Sequence, residues 1–216
     1  MAYGLLFSAF DISDADEAEF NDWYDHDHIP EREAMPGFLN ARRWLGAEDP
    51  KLALATYDLQ SLEALTSPDY LAIANENMSA RSRRIIASCR RLARYEGEQV
   101  IPGEEKSPDS AGGLLLLAMN IAADREAAYG DWFRSEWMPT TSSVPGLLSA
   151  RRFRARSGSP EFAETYHFAT PDGPASPAWQ AAVGQARTQE MHKSATVVVM
   201  EHAWRRYAGY RCLPTL

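Results

Sequence analysis

A chain of 216 residues with 30 acidic and 22 basic side chains carries a formal net charge of -8, and 45% of its residues are hydrophobic. That balance offers no net basic face to nucleic acid or to an anionic membrane surface, and so ordinary a composition excludes disordered and fibrous classes. Two cysteines, Cys89 and Cys212, are too few for a disulfide framework or a cysteine metal cluster, so a reducing, cytoplasmic setting is expected.

The apolar run from Tyr3 to Phe10 lacks a basic flank and ends at Asp11, which predicts a strand rather than a leader peptide. No apolar stretch approaches the length needed to span a bilayer. Ser13, Asp14 and Asp16 supply helix-start chemistry, and the helix they open carries Phe20, Trp23 and Tyr24 at helical spacing until Pro30 stops or kinks it. After Pro36-Gly37 the pattern predicts a strand over 38–45, a turn over 46–50 and a strand over 52–59. A second helix is predicted over 61–82, interrupted at Pro68, and a last strand over 87–95. The basic run from Arg81 to Arg94 reads as a solvated helix face. Residues 101–112, rich in Pro, Gly and Ser, read as a linker between a first unit, 1–100, and a second, 113–216.

The second unit repeats the first. Trp23 and Trp132, Pro30 and Pro139, Pro36 and Pro145, Tyr57 and Tyr166, and Arg42-Arg43 and Arg151-Arg152 are all separated by 109 positions without a gap. Toward the end the spacing reads as 112, from Tyr95 to Tyr207, Gly97 to Gly209 and Pro102 to Pro214, which implies a small insertion in the second copy. One copy therefore serves as the control for the other. Residues kept in both are expected to hold the fold, and residues kept in one to carry function.

Strand, helix, strand, strand, helix, strand is the split-βαβ, ferredoxin-like order, whose antiparallel sheet is covered by helices on one face only. Two such sheets can bury their bare faces against each other. The chain resembles the dimeric α/β-barrel superfamily, here as a tandem duplication in one polypeptide. Within it, Trp23-x4-His28-x-Pro30-x5-Pro36-Gly37 resembles the helix-end pattern of EthD-like proteins. The resemblance implies an α+β fold of two ferredoxin-like repeats whose antiparallel sheets pack as an α/β barrel. It also implies a range of small-molecule chemistries: cyclase, dehydratase, isomerase, decarboxylase and cofactor-independent oxygenase. The fold does not choose among them.

Where the copies disagree, Phe20, Tyr24 and His28 form one helical row, opposite Tyr129, Phe133 and Trp137. Three aromatics in the second row indicate a covered face, which places His28 inward as a candidate acid/base near a helix end. Tyr57 is expected to lend a hydroxyl, and Trp23, Tyr24, Glu31 and Arg32 to line the substrate site. Asp25, His26 and Asp27 stand opposite polar residues and are expected to face water. Asp22, Arg42 and Arg43, present in both copies, are expected to form helix-to-sheet ion pairs. His167, beside Tyr166, with His192 and His202, are the candidates for any second site. His26 and His28 are two apart on a helix and point to opposite sides, so no metal site is expected from His26, His28 and Glu31.

These readings converge on a small enzyme without an organic cofactor. It would use a histidine acid/base on an apolar, aromatic or polyketide-like small molecule, in a lyase, isomerase or cyclase reaction. The alternatives are a cofactor-independent monooxygenase of EthD-like type and a non-catalytic small-molecule-binding or stress-responsive protein. Neither nucleic acid nor membrane is expected as a partner, and homodimerisation of the whole chain is compatible with the reading without being required by it.

Overall fold

The computed structural model describes residues 2–209; Cys212 and Pro214 lie outside them. Eight antiparallel strands close into one barrel, and they come in two sets of four. In the first half these are β1 (Gly4–Asp11), β2 (Arg42–Gly46), β3 (Leu52–Leu59) and β4 (Arg90–Ile101). In the second they are β5 (Gly113–Ile121), β6 (Leu147–Ala155), β7 (Phe162–Phe168) and β8 (Ala195–Arg206). The order around the barrel is β1-β3-β2-β8-β5-β7-β6-β4, so each half contributes a ferredoxin-like sheet and the halves join at β2 with β8 and at β4 with β6. Strand periodicity explains the layering. On β3, Ala53, Ala55, Tyr57 and Leu59 face the helices, while Leu54 faces the barrel interior. On β7, Phe162, Tyr166 and Phe168 face the helices and Ala163 the interior.

The helices pack outside, one set on each sheet. In the first half α1 (Glu17–Trp23) begins at Asp16, whose side chain accepts from the Glu19 N–H. It does not stop at Pro30. A π-helical turn over Tyr24–His28, in which the Ile29 N–H donates five residues back to Tyr24, carries the chain into α2 (Ile29–Glu33). Widening the turn relieves the clash a proline imposes on the preceding α-turn. The second half repeats the device, with α5 (Glu126–Trp132), a π turn over Phe133–Trp137 and α6 (Met138–Ser142) around Pro139.

The predicted second helix is not continuous. It breaks into a 3-10 turn at Leu62–Thr66, α3 (Pro68–Leu71), a 3-10 turn at Asn75–Asn77 and α4 (Ala80–Ala87). Its second-half counterpart is α7 (Pro177–Val183) and α8 (Ala186–His192). Consequently the basic run is divided: Arg81 and Arg84 leave α4 to pair with Asp22, Asp27 and Glu19, whereas Arg90, Arg91 and Arg94 belong to β4. The solvated-helix reading fails for that second part.

Strand register also corrects the alignment of the copies. Ala9 pairs with Ala93 and Ala118 with Met200, and Phe10 pairs with Arg91 and Met119 with Val198. Since Ala9 and Ala118 are equivalent, β4 and β8 are offset by 107, not 112, and the second copy has lost residues rather than gained them. Tyr95 corresponds to His202, and its match to Tyr207 was a coincidence of similar residues.

The segment between the halves is built into the structure. Ser107 is buried and donates through N–H and hydroxyl to Asp58 Oδ2 at 2.6 and 2.7 Å, and Asp58 Oδ1 accepts from Arg151 Nη1 at 2.8 Å. Asp58 and Arg151, each 2% exposed, thus tie first half to second, and this pairing holds the Asp58 carboxyl down at about 2 despite burial. Arg42 and Arg151 therefore do not reach the helices: Arg42 pairs with Asp109. Arg43 does reach them, but through Asp25 at 2.5 Å and Asn21 at 2.6 Å rather than through Asp22, so Asp25 is half-buried and does not face water.

Candidate functional site

A cavity of about 160 Å³ lies between the first-half helices and the sheet. Its floor is the outer face of β1 and β3, through Leu6, Ser8, Phe10 and Tyr57. Its wall is the α1–α2 segment, through Trp23, Tyr24, His28 and Arg32, and its mouth is formed by Asn75, Met78, Arg91 and Arg94. Five of the six residues expected from sequence to form a site line it. Glu31 does not; it lies beside the wall, with one oxygen 3.3 Å from Arg32 Nη1.

Local rules account for each position. Trp23 is the last residue of α1, and its Nε1–H donates to Ser82 Oγ on α4 at 3.0 Å, which fixes the indole. His28, the last residue of the π turn, lies with its ring 4.6 Å from that of Trp23, 5.1 Å from Tyr24 and 6.4 Å from Tyr57. Arg32, 4% exposed on α2, sets its guanidinium 5.3 Å over the ring of Tyr70. The Tyr57 hydroxyl is buried and makes no well-formed hydrogen bond.

The electrostatics have one sign. Burial, and then the guanidinium groups of Arg32, Arg43 and Arg94, hold the His28 imidazole well below its usual titration range, so it is neutral at pH 7. At a helix end the dipole would favour the charged imidazole while burial opposes it, which is an expectation of titration near neutrality. The helix does not end at His28, and desolvation with three cations nearby decides the outcome. Burial pushes the Tyr24 phenol up to about 12 and raises that of Tyr57 well above its ordinary range, so both remain donors. A neutral imidazole, two phenol donors and cations around this space can accept a proton and stabilise the anion left behind.

Arg91, Arg94 and Ser8 escaped the sequence reading. Arg91 and Arg94 are three apart and would face opposite sides of a regular strand. A β-bulge between Ala9 and Phe10 in the β1–β4 ladder inserts one residue and turns both arginines to the helix side. The only available signal was the arginine spacing itself.

His26 is exposed and pairs with Asp22 at 3.0 Å, away from the cavity. Among the described residues no group of three or more His, Cys, Asp or Glu side chains is placed to hold a metal ion. Nor is any helix among them long and apolar enough to cross a membrane. His167 is adjacent to Tyr166 in sequence and faces the other way, into the barrel interior, with its ring 5.9 Å from Trp44. It cannot form one site with Tyr166. His192 packs on Trp132 and Trp137.

The second half fills the equivalent space. Trp137 stands where His28 does and Trp179 where Tyr70 does, and their rings lie 5.6 Å apart. Trp137 Nε1–H donates to the Tyr166 hydroxyl at 2.8 Å, which donates to Glu164 Oε2 at 2.6 Å. Glu164 is fully buried and burial raises its pKa, opposed by Arg152 3.6 Å away.

No family model matches the chain, and no curated protein matches it in sequence. Solved structures do match it end to end. An anthrone oxidase-like protein covers 100% of this chain and 98% of its own, at TM-score 0.64 and 13% identity. A candidate chlorite dismutase gives TM-score 0.67 at 16% identity, covering 96% and 95%. A monooxygenase-like protein of Listeria innocua gives 0.58 at 8%, covering 95% and 94%. The architecture shared with them is an α/β barrel closed by two ferredoxin-like sheets. At these identities the likeness is one of architecture, and within that barrel the chemistry of this chain is read from its own cavity.

Proposed function

We propose that the protein is a cofactor-independent enzyme that removes a proton from a small molecule bound in the first-half cavity, in a lyase, isomerase or cyclase type of reaction. His28 acts as the base. Tyr57 donates to the oxygen on which charge develops, Tyr24 and Trp23 pack against the ring, and Arg32 offsets the negative charge. What supports it most is the His28 ring 6.4 Å from that of Tyr57, whose buried hydroxyl makes no well-formed hydrogen bond, in a cavity edged by guanidinium groups. The cavity volume narrows the substrate. An apolar cavity of about 150 Å³ holds one benzene, so this one encloses a single ring and is too small to enclose a fused polyketide.

A second reading is a cofactor-independent monooxygenase of EthD-like type, favoured by the monooxygenase-like and anthrone oxidase-like names of structural neighbours and by the Trp23-x4-His28-x-Pro30 pattern. It begins with the same proton abstraction and then passes the substrate anion's electrons to oxygen. Neither reading requires a second copy of the chain. Incubating one-ring phenols and ketones with the protein in deuterated water, with an oxygen electrode in the vessel, tests both. His28-dependent deuterium incorporation without oxygen uptake supports the first reading, and His28-dependent oxygen uptake the second. Tight binding with neither leaves a binding protein.

A further inference from the structure

The charge around the cavity narrows the ligand further. Three guanidinium groups line it, those of Arg32, Arg91 and Arg94, and no carboxylate does. Arg32 has Glu31 at 3.3 Å and Arg94 has Glu96 at 2.5 Å. Arg91 pairs with no acidic group among the described residues and lies only over the ring of Phe10, 5.6 Å away. Three positive charges against two negative, with His28 neutral, leave one uncompensated charge. One is right for a monoanion and too little for a phosphate dianion.

The cationic lining is specific to the half that has the cavity. With the corrected register Arg91 corresponds to Val198 and Arg94 to Glu201, and Arg32 corresponds to Thr141. The bulge that aims Arg91 and Arg94 is present in both halves, between Ala118 and Met119 in the second. The fold therefore requires the bulge and not the arginines. Two guanidinium groups at the mouth of a narrow cavity focus the local field and can grip a planar carboxylate, even in a chain of net charge -8. Below them the space admits one ring, walled by Trp23 and Phe10, with the Tyr57 hydroxyl and His28 at its inner end.

We infer that the ligand of this cavity is a one-ring aromatic carboxylate, held by its carboxylate at Arg91 and Arg94 and bearing its reactive hydroxyl or acidic position toward His28 and Tyr57. This rests on the proposed reading that the cavity is the reaction site. The corresponding class of upstream reaction is one that releases small ring acids.

The test uses the full chain and two probes of equal shape, 4-hydroxybenzoate and 4-hydroxybenzamide, with binding measured by calorimetry and by quenching of tryptophan fluorescence. The acid should bind wild type at least tenfold more tightly than the amide. Arg91→Gln and Arg94→Gln should each lose tenfold or more for the acid while keeping the amide affinity, and Arg205→Gln, on an exposed part of β8, should change neither. Circular dichroism checks that each variant is folded. Equal affinity for acid and amide, undiminished acid binding in Arg91→Gln, or no binding of either probe at millimolar concentration would overturn the inference. The two readings fail separately. Loss of acid selectivity with His28-dependent proton exchange intact removes the carboxylate and leaves the base. Arginine-dependent acid binding without His28-dependent turnover of any ring acid removes the reaction and leaves the ligand class.

Discussion

The two halves of this barrel share a backbone design and differ in what they place between helix and sheet. In the first, His28, Tyr57, Tyr70 and three arginines surround a cavity; in the second, Trp137 and Trp179 occupy the same positions and close it. The difference is one of side chains, because the π turn, the proline that follows it and the bulge in the last strand occur twice. Duplication has left one half free to serve as scaffold. Of the residues on which the proposed chemistry would depend, the scaffold half keeps Tyr57 as Tyr166 and replaces His28, Arg32, Arg91 and Arg94 with Trp137, Thr141, Val198 and Glu201.

The comparison can be broken most severely from the scaffold side. Trp137→Ala should destabilise the protein by about 3–5 kcal/mol, the range for emptying a large aromatic site, and it also removes the donor to the Tyr166 hydroxyl, which keeps its own bond to Glu164. Thermal or urea unfolding measures it. A loss below about 1 kcal/mol would mean that the second half is not closed as described. The reverse exchange, His28→Trp, puts the scaffold residue into the cavity. Activity should fall by roughly 100-fold or more, the usual contribution of a positioned acid/base group, while stability changes by no more than about 1.5 kcal/mol. An active His28→Trp protein would take His28 out of the mechanism.

A pH titration sharpens the same contrast. His28, His167 and His192 are held below their ordinary titration range by burial, so below about pH 6.5 the unfolded chain binds protons that the folded chain refuses. Stability should therefore be full above that pH and fall as the medium is acidified, by up to about 1.4 kcal/mol per pH unit for each histidine. The Asp58 carboxylate acts in a separate window. Its folded value is lowered to about 2, so its contribution is present above the ordinary carboxylate range and is lost as pH falls toward 2. His28→Phe should flatten the first window in part and leave the second intact, as read from unfolding midpoints between pH 7 and pH 3. The smallest effect is expected at His26, which is exposed and faces Ser135 in the alignment. His26→Ser should shift stability by less than about 0.5 kcal/mol and leave activity unchanged.

Much of the architecture was legible because the sequence states it twice. The 109-residue spacing exposed the repeat, and the βαββαβ order implied a pair of sheets with bare faces to bury. The covered position of His28 could be read from Trp137, since a tryptophan in a row with Tyr129 and Phe133 marks a buried face. Three features were not legible for identifiable physical reasons. Arg91 and Arg94 share a face only because a bulge changes the strand's phase, and a bulge leaves no composition signal of its own. His167 was grouped with Tyr166 by proximity in sequence, although neighbours on a strand point apart. The helix was expected to stop or kink at Pro30, and a π turn carries it past. That difference removes the helix-end dipole from the balance expected at His28 and leaves burial and three nearby cations to decide it.

The state of that imidazole is where the account is most exposed. Nitrogen-15 NMR of histidine-labelled protein, followed downward from pH 8, should show the His28 imidazole still neutral at pH 6.5, where an ordinary imidazole is half protonated. A His28 resonance that moves to the imidazolium position at or above pH 6.5 would contradict a buried, cation-edged imidazole, and with it the assignment of His28 as the base.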